Sequence, residues 1–285
     1  MKRGSIGKAL ATVLLTICAV IVLVPVVATL IYSFCSPTEI KQFMETRKNY
    51  DDTVFMEIKL FPELFSLKQY YHILIEDLEI LRYFINSVKY AALIIAGQFL
   101  VIPAMAYALS RFRFPGRDIL FFLIIVLMLL PFQVTMVPNV LMLRTLGMMD
   151  TIRAIILPMV ISPFYIFLLR QYMVSLPEEL IEAAQIDGAG TLRCFVYIIL
   201  PICKPILGAA FALSFADCWN MVEQPLTYLT SNTLAYPLSV VFNQLSQNSK
   251  GIEYAGATLY ALPALFIYLF FQSDILDGMQ LTEMK

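Results

Sequence analysis

Residues 177–201, PEELIEAAQIDGAGTLRCFVYIILP, place a polar, charged stretch of helical character between two long apolar runs. Pro177 suits the first turn of a helix, where its missing N–H costs nothing. Glu178 and Glu179 follow in that turn, where negative charge complements the helix dipole. Leu176, Leu180 and Ala184 recur at i, i+4 and i+8 with Ala183 beside them, giving one narrow apolar face. Asp187-Gly188 reads as a helix stop, because glycine enters the left-handed conformation at the C′ position without penalty. Thr191 is placed to cap a second short helix that runs toward Leu200 and ends near Pro201. The spacing predicts a compact pair of helices whose exposed alanines would let it seat in a partner's groove. An amphipathic connector lying on the membrane satisfies the same spacing.

The rest of the chain explains why such a loop stands out. Of 285 residues, 60% are hydrophobic and only 14% are charged, where a soluble domain carries roughly a quarter charged residues. The apolar excess lies in runs near the roughly 20 residues a bilayer-crossing helix needs. Six spans are predicted, at about 9–34, 83–109, 118–143, 152–174, 204–224 and 254–272. The first apolar run, of about 26 residues, is too long for the roughly 7–15 of a cleaved signal and is read as a retained span. Pro131, Pro138, Pro158 and Pro163 fall inside the third and fourth spans and predict kinks, since neighbouring helices can satisfy the backbone groups they free. The fold class expected is an all-α, six-span polytopic membrane protein built as a single domain over 1–285.

Orientation follows from lysine and arginine in the short loops. An inside N-terminus collects Lys2, Arg3, Lys8, Arg111, Arg113, Arg117, Arg170, Arg193 and Lys204 on one face. The opposite face then holds Arg144, Arg153 and Lys250. Both termini and the 177–201 loop are placed in the cytoplasm. The sizeable outer segment, Ser36 to Leu81, carries nine acidic and five basic residues and is either a solvated connector or a docking surface. The lone histidine, His72, has a structural or solvated role there. A net charge of −1 makes no case for nucleic acid as a partner. The five cysteines have no metal-like spacing and read as small apolar fillers without a disulfide. No phosphate-binding glycine loop is present: Gly7-Lys8 is followed by alanine and lacks the upstream glycine. Neither a cofactor nor a metal is called for.

Glu182-Ala183-Ala184, Asp187-Gly188 and Leu200-Pro201 together resemble the EAA loop of ABC-importer permeases, the type I, MetI-like fold. The wider pattern is similar to the carbohydrate-uptake branch, the MalG-like subunits. Asn86-Ser87, RFRFPGR at 111–117, LPFQVTMVPN at 130–139, LGMMDT at 146–151, IFLLRQYM at 166–173 and WNMVEQPLTYL at 219–229 occur in the branch's order. Two features depart from it: a longer outer segment around 38–60, and a tail, GMQLTEMK, that lacks a second glycine before the final lysine. The resemblance implies a non-catalytic permease of the bacterial cytoplasmic membrane. Its implied partners are a second, MalF-like permease, two copies of a cytosolic ATPase, an external solute-binding protein and the lipid bilayer. It further implies that Glu182, Ala183, Ala184, Asp187, Gly188, Leu200 and Pro201 couple the chain to the ATPase. Such coupling needs nucleotide binding to favour the outward-open arrangement over the inward-open one.

Substrate residues are sought among polar groups within spans, which are costly and face a cavity or a partner. Asp217, about 20 Å into the fifth span at 1.5 Å per residue, is the first candidate, with Asn220, Gln133 and Trp219 beside it. Each has a plainer reading: the amides as interhelical hydrogen-bonding groups, and Trp219 as part of an interfacial belt. Gln98, Asn139, Tyr107 and Tyr165 are further polar or aromatic candidates. The expected cargo is a sugar or oligosaccharide, with a polyamine or glycerol phosphate as alternatives. A membrane-embedded enzyme would need a His, Cys or paired-carboxylate constellation at one depth, and the sequence offers none.

Overall fold

The computed structural model describes residues 3–40, 62–63, 65–247 and 252–283. The expectations for 41–61, the middle of the outer segment, lie outside the described residues. Every regular element described is helical. The principal helices are α1 (Arg3–Tyr32), α2 (Leu78–Arg111), α3 (Arg117–Leu129), α4 (Phe132–Thr145), α5 (Ile152–Val160), α6 (Pro163–Ser175), α7 (Glu179–Ile186), α8 (Thr191–Cys194), α9 (Lys204–Trp219), α10 (Glu223–Tyr228), α11 (Leu238–Gln247) and α12 (Glu253–Glu283). Two compact units contain them, Met1–Leu81 with Val241–Leu262 and Arg82–Val240 with Pro263–Lys285.

Four stretches are long and apolar enough to cross a bilayer: Ala11–Tyr32, Leu78–Arg111, Ile152–Ser175 and Glu253–Leu276. Two bent pairs bring the total to six if each pair is one span. The third expected span is more than kinked. It bends by 111° between α3 and α4, because Leu130, the residue before Pro131, is held extended at φ −76°, ψ 127°. Pro138, by contrast, stays inside α4. The fifth span ends earlier than expected. The last helical bond runs from the Asn220 N–H to the carbonyl of Ala216 (3.1 Å), which the Asn220 side-chain amide also reaches (2.9 Å); α9 stops at Trp219 and α10 begins at Glu223. Side-chain bonds of this kind compete with continuation of a helix.

In the first unit, buried Gln69 closes the end of α1. Its amide donates to the carbonyls of Tyr32 and Cys35, both at 2.8 Å, and its oxygen accepts from the N–H of Ala255 at 3.3 Å. These are terminal backbone groups that no helix pairs internally. Tyr70 donates to the Ser33 hydroxyl at 2.7 Å alongside. Burial pushes the Cys35 thiol up to about 11, and Glu39 adds to the shift; an un-ionised thiol is a small, inert filler. His72 pairs with Glu76 one turn on, at 2.5 Å.

In the second unit, α2 is the central strut. At its start Asn86 donates to the carbonyls of Leu234 (3.0 Å) and Tyr236 (3.1 Å), and the Ser87 hydroxyl accepts from the N–H of Leu238 at 2.8 Å. That is the local purpose of the Asn-Ser pair. Halfway along, Gly97 lets α5 approach closely, since a methyl there would sit 2.6 Å from Val160. Beside it, Gln98 donates to the carbonyl of Met159 at 2.8 Å and accepts from the hydroxyl of buried Ser214. Met159 is four residues before Pro163, which has no N–H to offer that carbonyl. Gln98 thus repairs the break between α5 and α6. Gln98→Leu is expected to lower stability by about 1–2 kcal/mol, read as a reduced thermal midpoint of the purified complex. An unchanged midpoint would mean that the carbonyl finds another donor.

Candidate functional site

The loop expected at residues 177–201 is present as two short helices, α7 and α8, with detailed differences at their starts. Pro177 lies before α7 rather than in its first turn: it holds Leu176 extended (φ −74°, ψ 139°), which ends α6. Glu178 then serves as the N-cap, its carbonyl accepting from the N–H groups of Ile181 (2.9 Å) and Glu182 (3.1 Å). The stop falls where expected. Gly188 adopts φ +83°, its N–H reaches the carbonyl of Gln185 at 3.0 Å, and that of Ala189 reaches Ala184 at 2.9 Å. This pair of bonds is the Schellman arrangement, which satisfies carbonyls the helix leaves open. Thr191 does not cap the second helix. Gly190 holds the N-cap position and Thr191 is the first helical residue, because the two bonds around Gly188 leave only Ala189-Gly190 to reverse the chain. A π-turn at Phe195–Ile199 and a last turn at Leu200–Ile202 continue the segment, which meets α9 at a 73° bend. Leu200 and Pro201 sit in that last turn.

The loop has two faces. Leu176, Ile181 and Phe195 pack down onto a buried cluster that includes Ile102, Ala106, Tyr107, Leu169, Met173, Ile199 and Cys203. Glu182, Ala183, Asp187 and Gly188 are exposed, and Ala184 is half-buried. Three large apolar side chains also point away from the molecule: Ile186 at 86% exposure, Leu192 at 73% and Tyr197 at 76%. The i, i+4, i+8 spacing puts the apolar side of α7 on Leu180 and Ala184, but Ile181 is the residue that packs inward. Ile186 is the functional candidate that this spacing misses. An isoleucine at the last position before the Asp-Gly stop, out of phase with the packed face, is the signal that marks it.

The base of the loop is pinned from α2. Arg111, its side chain 9% exposed, donates through Nη2 to the carbonyls of Met173 (2.7 Å) and Leu176 (2.8 Å) and lies 3.7 Å from the Glu178 carboxylate. One turn back on α2, the Tyr107 ring lies 5.0 Å from that of Phe195. Tyr172 donates to the carbonyl of Ile202 at 3.3 Å.

The substrate candidates divide. Asp217 is exposed near the end of α9 and accepts from the Tyr165 hydroxyl at 2.6 Å. Gln133, exposed on α4, donates to exposed Glu223 at 2.9 Å. Asn220 is exposed between these pairs in sequence and is engaged with Ala216. Trp219, 1% exposed, is stacked against Phe215 (5.4 Å) and edge-on to Phe84 (5.7 Å). One face of its ring is therefore covered by Phe215, and Trp219 also lines an apolar cleft. An apolar cleft of about 700 Å³ lies between α2, α9 and α12, with Ala92, Phe99, Phe215 and Phe266 among its walls. Among the described residues no three His, Cys, Asp or Glu side chains converge as a metal site requires.

Among the described residues, four to six stretches long and apolar enough to cross a bilayer, with a polar helical loop between them, define a multi-span membrane protein. Residues 100–277 match the family described as the binding-protein-dependent transport system inner membrane component. The chain is 31% identical over 227 residues to the arabinooligosaccharides transport system permease protein AraQ of Halalkalibacterium halodurans, covering 79% of this chain and 81% of that one. It is 33% identical over 199 residues to the sn-glycerol-3-phosphate transport system permease protein UgpE of Pectobacterium atrosepticum, covering 68% and 71%. The crystal structure of a bacterial ABC transporter involved in the import of the acidic polysaccharide alginate shares the fold, with a TM-score of 0.78 at 23% identity over 95% of this chain and 97% of that one. The chain belongs to the binding-protein-dependent permease family. It is a non-catalytic, multi-pass inner-membrane subunit of an ABC importer.

Proposed function

We propose that this permease forms half of the translocation pathway for a sugar or oligosaccharide. An external solute-binding protein delivers the cargo, a second MalF-like permease supplies the other half, and two copies of a cytosolic ATPase power the cycle. The ATPase seats on the α7–α8 loop through Glu182, Ala183, Ala184, Asp187 and Gly188, with Leu200 and Pro201 completing the coupling segment. Both termini lie on the cytoplasmic side with that loop. The observation that carries this reading is the exposed tip of α7: a helix ended by the Gly188 turn, with Ile186 presented beside Asp187. An apolar side chain so placed gains by burial in a partner's pocket.

A saccharide is favoured because the exposed polar side chains near α9, Asp217, Gln133 and Glu223, are hydrogen-bonding groups without a cation among them. The UgpE relatives are named for sn-glycerol-3-phosphate, an anion that the Asp217 and Glu223 carboxylates would each disfavour. Replacing Asp217 by alanine is expected to reduce saccharide uptake about tenfold or more, the scale of a lost charged hydrogen bond. Asp217→Asn, which keeps an acceptor for Tyr165, is expected to lose less. Uptake equal to wild type in both would remove Asp217 from the pathway. The reading as a whole is tested by purifying the complex with its native partners and screening saccharide classes by thermal shift of the binding protein. Reconstituted uptake should cease on ATP depletion with ion gradients held constant; continued uptake would refute an ATP-driven importer.

A further inference from the structure

We propose that α2, through Arg111 and Tyr107 in its last turn, is the helix that receives the motion of the coupling loop and carries it into the membrane. The loop is joined covalently to α6 and α9, so those helices are the expected recipients. The packing points elsewhere. Tyr107 and Arg111 are four residues apart and share one face of α2. Arg111 holds the first arm of the loop at its root, with Nη2 shared between the carbonyls of Met173 and Leu176 at 2.7 and 2.8 Å. Both carbonyls lie at the end of α6, at Met173 in its last turn and at the C-cap Leu176, whose own N–H also reaches the Met173 carbonyl at 3.4 Å. Tyr107 holds the second arm through Phe195, at 5.0 Å between ring centres. A displacement of the loop relative to the bundle must either move the end of α2 or break both attachments.

The same helix is bonded again deeper in the unit. Gln98, 13 residues before Arg111 and so roughly 20 Å along the axis, is bonded to the Met159 carbonyl at the α5–α6 break and to Ser214 on α9. The helix runs unbroken between the two points, with Pro103 inside it, so a shift at one end is conveyed to the other. The Arg111 guanidinium suits a joint that must hold while it moves. Its Nε is buried and makes no hydrogen bond, and Glu178 stands 3.7 Å from Nη1. Spare donor and nearby carboxylate let the group follow the loop without releasing α6. Lysine, with one nitrogen on a shorter stem, cannot hold the two carbonyls and at the same time keep a second nitrogen toward Glu178. Arg111 is in this sense a positioning residue; it need not touch ATPase or cargo.

This inference rests on the ATP-driven reading above, and its test separates the two. The complex carrying Arg111→Lys is reconstituted with its binding protein, and saccharide uptake and ATP hydrolysis are measured in the same vesicles. The expected result is that hydrolysis continues while solute imported per ATP falls about tenfold, within the usual range of a coupling effect. An assembled Arg111→Lys complex with the wild-type ratio overturns the inference. Should that variant fail to assemble, Phe195→Leu, which loses the Tyr107 contact while staying apolar, decides by the same ratio. Failure of both to assemble would make the attachments structural supports only and likewise overturn it. Uptake by the unmutated complex that is indifferent to ATP would instead refute the reading beneath.

Discussion

Ile186→Asp is expected to strip the ATPase from the complex. Ile186 is almost fully exposed at the tip of α7, so the change costs the isolated permease nothing in packing. In a seated complex the same position becomes buried, and a charge there is opposed by desolvation. Loss of a central apolar anchor of this kind weakens binding on the order of 100-fold. The measurement is affinity purification through a tagged permease: the second permease should be retained and the ATPase lost, with uptake abolished. Stoichiometric ATPase and normal uptake would place the docking surface elsewhere on the chain.

Gly188 gives the second large effect, and two substitutions divide its causes. Gly188 sits at φ +83°, yet a methyl added there would meet nothing within 4 Å. Gly188→Ala therefore carries only the backbone cost of the left-handed conformation, about 1–2 kcal/mol. It is expected to retain much of the uptake. Gly188→Trp has the same backbone cost and projects a large ring from a surface that is open in the lone subunit. Uptake and substrate-stimulated ATP hydrolysis should both vanish while the complex still assembles. Full uptake by an assembled Gly188→Trp complex would exclude this loop as the ATPase seat.

Both effects concern a loop that is legible in the amino-acid sequence, while the attachments beneath it are not. Pro177, Asp187 and Gly188 act on their immediate neighbours, so local rules of helix ends locate α7 to within two residues. Thr191 escapes those rules because they allow either a side-chain cap or a first-turn threonine, and the turn at Gly188 selects the second. Arg111 reads only as one more basic residue in a short loop, since the carbonyls it holds lie 62 and 65 residues away. Trp219 suits a polar pathway or a membrane interface equally well on its neighbours, but its ring is buried, stacked on Phe215 and edge-on to Phe84. Nothing in its local sequence distinguishes those fates.

The sequence by itself determined the helical class and the order of the spans. Lipid offers no partner for backbone N–H and C=O groups, so long apolar runs have no alternative to the helix. It also determined that a polar helical hairpin interrupts those runs at 177–201. Tertiary structure decided how the spans break and which side chains repair them. The 111° bend after α3, the Gln98 bond to the carbonyl that Pro163 leaves open, and the grip of α2 on both arms of the loop all depend on groups far apart in the chain. A proline announces that a hydrogen bond is missing; only the packed structure shows which residue supplies it.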